Sequence, residues 1–174
     1  MKIVIEHKSV IGSREDQQDA YYASSSGDTA FAVICDGMGG SVGGAAASQI
    51  VVNKIIEMVA IKNNTESYPA FFLRAIDILD ESVVNLQKQS GALNSGTTIV
   101  AVGIEKGFLY WLAVGDSRLY IIRGDEIVQV TRDHNFALSI GELTQEELKK
   151  AAISPDRHRT DALVSFIGCT SQVK

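Results

Sequence analysis

Four strand-like runs in the second half of the chain are joined by very short links. The runs are rich in Ile, Val, Leu, Tyr and Thr and cover residues 97–105, 108–114, 118–123 and 126–131. Lys106–Gly107 and Gly124–Asp125 have the composition of tight turns. Parallel strands need a crossover of about a dozen residues or more, so neighbouring runs must pair antiparallel. The sequence therefore predicts an antiparallel meander here.

The first half predicts strands followed by two helices. Alternating polarity predicts strands over 2–6, 20–24 and 30–35, then a glycine-rich loop over 36–44. Apolar spacing predicts helices over 45–62 and from about Pro69 to residue 90, the second with a polar face that includes Asp80 and Gln87. A short helix at 144–151 and a strand or strand end at 163–168 complete the prediction. Strands, helices and strands in this order indicate an α+β fold.

Composition limits the class of protein. The 174 residues fit one domain over 1–174, and a net charge of −5 argues against nucleic-acid binding or attraction to anionic lipid. Cys35 and Cys169 are far apart, which predicts reduced thiols in a cytoplasmic protein. The longest apolar run, 108–114, has seven residues and is too short to span a membrane.

The most informative segment is 31–40. An apolar strand delivers Asp36 directly into a stretch with five glycines, at positions 37, 39, 40, 43 and 44. A carboxylate beside a backbone that can be closely approached suits Mg²⁺ or Mn²⁺, which take carboxylate and main-chain carbonyl oxygens. A glycine-rich turn in which Asp36 caps the next helix is an equally good interpretation of this segment alone.

Other polar segments are weak individually. In the segment 14–19, Arg14 could hold a phosphate bidentately and Asp19 could orient a metal-bound water, although a plain polar turn explains the same residues. Asp116 follows another apolar strand and could serve a metal, or pair with Arg118 across a turn. Ser95–Thr98 and Thr131–His134 add two further short polar motifs.

In this order the segments resemble the PPM/PP2C family of metal-dependent protein serine/threonine phosphatases, in particular its bacterial branch. The resemblance runs from about residue 9 to about residue 169. It implies a sandwich of two antiparallel sheets flanked by helices, with two or three Mg²⁺ or Mn²⁺ ions in a complete domain. It also implies hydrolysis of phosphoserine and phosphothreonine by a metal-activated water, on a phosphorylated protein opposed to a serine/threonine kinase.

The resemblance also implies roles for individual residues. Asp36 would bridge two metals, the Gly37 carbonyl would bind one of them, and Arg14 would hold the substrate phosphate. Asp19 would orient a metal-bound water, and Asp116 would serve a third metal. Thr97 and Thr98 would support the site, and the residues after His134, through 161, would form a substrate-facing flap.

The sequence departs from the family pattern at several places: Gln17, Gln18, Ser41 and the run 163–168. Family members also continue with two further aspartates, and this sequence stops before them. We therefore expect a C-terminally incomplete domain with weak metal binding and little turnover, which could be a fragment, a truncated gene product or one half completed by another chain. An open C-terminal sheet edge could pair with a partner. The alternative function is a pseudophosphatase that binds phosphoproteins or partners without turnover.

Overall fold

The computed structural model describes residues 2–135 and 163–169. Its elements follow in the order β1 (Asp19–Ser26), β2 (Thr29–Met38), α1 (Ser41–Ala60), α2 (Tyr68–Ser90), β3 (Gly96–Thr97), β4 (Ile99–Glu105), β5 (Phe108–Val114), β6 (Tyr120–Arg123) and β7 (Glu126–Gln129). This is the α+β order predicted from the sequence.

The main sheet is antiparallel and has the strand order β1-β2-β4-β5, with β3 paired to the end of β2. The β1–β2 hairpin places Asp19 opposite Asp36, and β2 pairs with β4 through partners such as Val33 and Ala101. The two helices therefore lie in sequence between neighbouring strands of one sheet. The short strand β3 pairs Thr97 with Gly37, which brings the 95–98 segment beside the carboxyl end of β2.

The helices cover one face of this sheet. Val33 and Cys35 are buried on that face, while Ile34 and Asp36, which point to the other side of the strand, are exposed. The core against the helices contains mainly aliphatic and aromatic side chains, among them Val51, Ile55, Phe71, Leu79, Val83 and Ile99. Because the pleat alternates, burying Cys35 directs its neighbour Asp36 out of the core.

Helix α1 begins directly after the Gly39–Gly40 pair, four residues earlier than predicted, so the predicted loop over 36–44 is largely strand and helix. By length and composition, Val42–Ala60 is apolar enough to cross a membrane, with mean hydropathy 1.2. Buried core helices meet the same criterion, and this helix buries Ala47, Val51 and Ile55 in the core.

Helix α2 has the ends that its sequence predicts. The hydroxyl of Ser67 accepts a hydrogen bond from the Ala70 amide, Pro69 lies in the first turn, and Gly91 ends the helix in the left-handed conformation with φ 73°. Its buried face includes Phe72, Leu79 and Val83, as the apolar spacing indicated. Gln87, assigned to the polar face from the sequence, is also buried.

Three strand predictions were wrong in detail. Residues 2–6 are not in a strand, although Ile3 and Ile5 are half-buried and their neighbours exposed. An alternating pattern of apolar and polar residues indicates which side chains are buried. It does not require the backbone to pair with another strand. The predicted meander is divided, because β4 and β5 pair in the main sheet while β6 and β7 form a separate two-stranded sheet. Within 163–168, pairing is limited to two single bridges, Asn135 with Leu163 and Thr97 with Ile167.

Two predictions lie outside the described residues. They are the short helix at 144–151 and the flap that would extend to residue 161.

Candidate active site

Asp19 and Asp36 lie opposite each other where β1 begins and β2 approaches its end. Both are on the sheet face away from the helices, and both are exposed. Two carboxylates from different parts of the sequence are thereby brought to one position by the register of a single hairpin.

The electrostatics of Asp36 show which residues surround it. The pKa of Asp36 is raised to about 6, first by partial desolvation of its carboxyl group and then by repulsion from Asp19, a side-chain hydrogen bond with Asp19 and the charge of Asp116. The positive charge of Arg14 opposes them. The fold therefore gathers Arg14, Asp19, Asp36 and Asp116, which the sequence had selected from three separate segments.

Two buried threonines hold the backbone of Asp36. The Asp36 amide donates to Thr98 Oγ1 at 3.0 Å, and the Asp36 carbonyl accepts from the Thr98 amide at 2.9 Å. Thr97 Oγ1 donates to the same carbonyl at 2.9 Å. Thr97 and Thr98 are almost fully buried, so water does not compete for these bonds. Thr97 and Thr98 therefore lie next to the Asp36 backbone, as a role in supporting Asp36 requires.

Gly37 is required by close backbone packing. A Cβ at this position would lie 2.1 Å from the Gly44 carbonyl oxygen and 2.6 Å from that of Gln18. The Gly37 amide donates to the Gln18 carbonyl, which also accepts from Ser48 Oγ at 2.6 Å. The residue after Asp36 is thus locked between the loop before β1 and the first turn of α1.

The segment carrying Asp116 is fixed from both sides. Thr98 Oγ1 lies 2.6 Å from Ser117 Oγ, which joins this segment to the support of Asp36. The Gly115 amide donates to His134 Nδ1 at 3.2 Å, and the His134 amide donates back to the Gly115 carbonyl at 2.9 Å. Sequence analysis gave Ser117 and His134 no role, although both stand inside motifs that it had quoted.

Two alternatives considered for the sequence are wrong. Asp36 does not cap α1, because the N-cap residue is Gly40 and no side chain caps that helix. Arg118 does not pair with Asp116, because it forms a bidentate ion pair with the buried Asp133, with Nε 2.9 Å from Oδ1. Asp116 is consequently free of that competing partner, while Asp133 has a structural role that sequence analysis missed.

Comparison with known protein families shows which family this sequence belongs to. Residues 8–167 match the family described as protein phosphatase 2C. The chain belongs to the protein phosphatase 2C family. The resemblance found from the ordered motifs is thereby confirmed.

Curated relatives of this protein phosphatase 2C chain are bacterial phosphatases. It is 30% identical over 141 residues to the protein phosphatase PhpP of Streptococcus pneumoniae, an alignment that covers 77% of this chain and 57% of PhpP. It is 28% identical over 145 residues to the serine/threonine protein phosphatase PstP of Mycobacterium tuberculosis, covering 77% of this chain and 26% of PstP. The chain therefore spans less than two thirds of the length of these relatives.

Solved structures share the protein phosphatase 2C fold. A serine/threonine phosphatase of S. agalactiae superposes with a TM-score of 0.75 at 28% identity, covering 92% of this chain and 66% of that chain. The phosphatase Stp1 from Staphylococcus aureus gives a TM-score of 0.72 at 23% identity, covering 90% and 62%. The catalytic domain of PstP, solved in complex with two manganese ions, gives 0.65 at 21% and covers 89% and 62%. The α+β fold with antiparallel sheets is confirmed by these structures.

The residues present match part of what a divalent cation needs. Among residues 2–135 and 163–169, no group of three or more His, Cys, Asp or Glu side chains is placed to hold a metal ion. Asp19 and Asp36 nevertheless offer carboxylate oxygens side by side, and a main-chain carbonyl at Gly37 is adjacent in sequence. Their mutual repulsion is the electrostatic condition that a hard cation relieves.

Proposed function

We propose that this chain carries the metal-binding and phosphate-binding elements of a protein serine/threonine phosphatase that hydrolyses phosphoserine and phosphothreonine. The observation that carries the proposal is the interaction of Asp36 with Asp19, Asp116 and Arg14 at one end of the main sheet. A carboxylate that feels two further carboxylates and one guanidinium suits a cation and a phosphate monoester together.

In this proposal each carboxylate has a different role in binding Mg²⁺ or Mn²⁺. Asp36 and the Gly37 carbonyl would hold an ion, Asp19 would orient a water beside it, and Asp116 would serve an additional ion, which would give two or three ions in a complete site. Divalent ions there would activate a water for attack on phosphorus and neutralise charge on the phosphoryl oxygens. Thr97 and Thr98 fix the Asp36 backbone so that its carboxylate needs little rearrangement on binding.

Arg14 is the residue we assign to the substrate phosphate. It lies in the exposed loop before β1, where its amide donates to the Ile11 carbonyl at 3.3 Å. A guanidinium can bind two phosphate oxygens in one plane, and its exposure leaves it accessible to a phosphorylated side chain of another protein. Its positive charge acts on the Asp36 carboxylate, which supports a place for Arg14 near that end of the sheet.

The experiment that tests the proposal is hydrolysis of a phosphothreonine peptide by the 174-residue chain, with and without Mn²⁺. Because we expect weak metal binding and little turnover, Mn²⁺-dependent phosphate release should be slow, and it should fall by at least about 100-fold in Asp36→Asn, as expected when a group that holds a metal is lost. Asp28→Asn, in the exposed turn of the same hairpin, is the matched control and should keep wild-type activity. Equal rates in Asp36→Asn and wild type, or no Mn²⁺-dependent release by the wild type, would contradict hydrolysis by this chain and leave only the family assignment standing. A rate near that of a full-length relative would contradict the expected low turnover.

The setting of the reaction follows from the substrate class. Phosphoserine and phosphothreonine in proteins are made by serine/threonine kinases, so we place this chain opposite such a kinase. We place it in the cytoplasm, where a buried cysteine such as Cys35 stays reduced. We treat residues 1–174 as parts of one phosphatase domain, consistent with the family match over 8–167. Partner pairing through a C-terminal sheet edge would involve residues 170–174, outside the described part of the chain.

A further inference from the structure

A short segment near the C-terminal end of the described residues contacts both α2 and β3. We call residues 163–169 the strap. Its Ile167 exchanges two backbone hydrogen bonds with Thr97, at 3.1 Å from the Thr97 amide and 2.9 Å from the Ile167 amide. Ile167 is itself fully buried. The strap therefore extends the backbone pairing of β3 on the side of Thr97 that does not face Asp36.

Gln87 of α2 joins the strap to the segment before β3. Its Nε2 donates to the Ser95 carbonyl at 2.5 Å and to the Gly168 carbonyl at 2.8 Å. The side chain is 3% exposed, so neither carbonyl has ready access to water in its place. One amide group thus uses both of its hydrogens to hold two backbone segments that are far apart in sequence.

A second residue of α2 holds the strap from the opposite direction. The Gly168 amide donates to Asp80 Oδ1 at 2.6 Å, so both polar backbone groups of Gly168 are bound by helix α2. Gly168 has φ +95°, and a Cβ there would lie 2.4 Å from Val83 Cγ1. A glycine is therefore needed for the strap to approach the helix closely enough for these bonds.

The bonds of Gln87 lead directly to the backbone of Asp36. Ser95, held by Gln87, is two residues before Thr97, and the hydroxyls of Thr97 and Thr98 bind the carbonyl and amide of Asp36. Gln87 itself touches neither Asp36 nor Asp19 in any bond described above. Its effect on them acts through β3.

We propose that Gln87 is a positioning residue that sets the place of Asp36 by clamping Ser95, the residue directly before β3, to Gly168 of the strap. The consequence for metal binding rests on the function proposed above. The clamp itself does not, because it is a statement about how firmly the Asp36 backbone is held.

The test replaces Gln87 by a side chain of similar length without donors. In Gln87→Met we expect the amides of Asp36, Thr97 and Ile167 to exchange hydrogen about tenfold faster, equivalent to about 1.4 kcal/mol of local opening, as measured by NMR. The amide of Ile55 in α1, which is remote from the clamp, should keep its rate. Gln89→Met, on an exposed position of the same helix, is the matched control and should leave all four rates unchanged.

A titration with Mn²⁺ alone, followed by the electron spin resonance of the free ion, gives the second readout. We expect Gln87→Met to bind Mn²⁺ about tenfold more weakly than wild type, by the same local opening, and Gln89→Met to bind as wild type. If the wild type binds no Mn²⁺, the proposed metal role of Asp36 fails, and the exchange rates still decide the clamp. Unchanged rates at Asp36, or a uniform rise that includes Ile55, would overturn the proposal. Faster exchange with unchanged Mn²⁺ affinity would confirm the clamp but overturn the positioning role of Gln87 in metal binding.

A second pair of variants keeps the test decisive if Gln87→Met does not fold. Asp80→Ala removes the acceptor for the Gly168 amide, whereas Asp80→Asn keeps an oxygen in its place. We expect Asp80→Ala to speed exchange at Ile167, Thr97 and Asp36, and Asp80→Asn to restore rates close to wild type. Equal behaviour of the two variants would contradict the proposed path from the strap to Asp36.

Discussion

Asp19 and Asp36 are direct partners in the antiparallel pairing of β1 and β2, with a turn at Gly27–Asp28 between the two strands. Their proximity acts with burial to raise the pKa of Asp36 to about 6. The hairpin register therefore creates an unfavourable interaction between two carboxylates. The repulsion between the two carboxylates is relieved when a cation binds between them, and such pairs are therefore typical of functional sites.

Replacing Asp19 by Asn should separate stability from cation binding. We expect Asp19→Asn to have a thermal midpoint no lower than wild type at pH 7, because the repulsion with Asp36 is removed. Its affinity for Mn²⁺ should fall by about 10–100-fold, the usual cost of losing a group that supports a metal site. Calorimetry and an Mn²⁺ titration measure the two effects.

Asp28→Asn is the control for this experiment, since Asp28 lies in the exposed turn at the other end of the hairpin. It should change neither quantity. A marked loss of stability in Asp19→Asn would show that Asp19 is chiefly a structural residue, and the repulsion argument would then be wrong.

Thr98→Val tests the support of Asp36 from the opposite strand. Thr98 Oγ1 accepts from the Asp36 amide and contacts Ser117 Oγ, and valine leaves both groups without that partner. Because Thr98 is buried, we expect a loss of about 1–3 kcal/mol in the free energy of unfolding by urea. The exposed Thr65 supplies the control, and Thr65→Val should change stability by less than about 0.5 kcal/mol. A cost for Thr98→Val as small as that of the control would rule out the supporting role.

Local chemistry explains which parts of the fold could be predicted. The hairpin of β1 and β2, the ends of α2 and the β4–β5 pair depend on turn and cap residues within a few positions, and they were predicted correctly. The pairing of β2 with β4 spans two helices, and the assignment of β6 and β7 to a separate sheet depends on where β5 ends in space. No local signal encodes such choices, so the meander was predicted as one sheet.

In the candidate site, too, some residues could be predicted from the sequence and others could not. Arg14, Asp19, Asp36 and Asp116 were selected because their motifs, in this order along the chain, resemble those of the phosphatase family, and the structure places the other three within electrostatic range of Asp36. Gln87 was placed on a polar helix face because glutamine is usually exposed. Its burial follows from two backbone carbonyls that only the tertiary structure supplies. Sequence pattern identified residues that carry charge and missed the residue that holds their support.

Asp133→Asn should destabilise the protein in a way that depends on pH. The hydrogen bonds from Arg118 hold the pKa of Asp133 below its ordinary value, so the ionised carboxylate stabilises the folded state above about pH 4 and this contribution is lost as pH falls further. We expect the variant to melt a few degrees below wild type at pH 7, since the half-exposed Arg118 is screened by solvent, and the difference to be smaller at an acidic pH below about 4. Asp125→Asn, in the exposed turn between β6 and β7, is the control and should melt with wild type at pH 7. A difference between Asp133→Asn and wild type that is equally large at both pH values would mean that shape, and not charge, accounts for the role of Asp133.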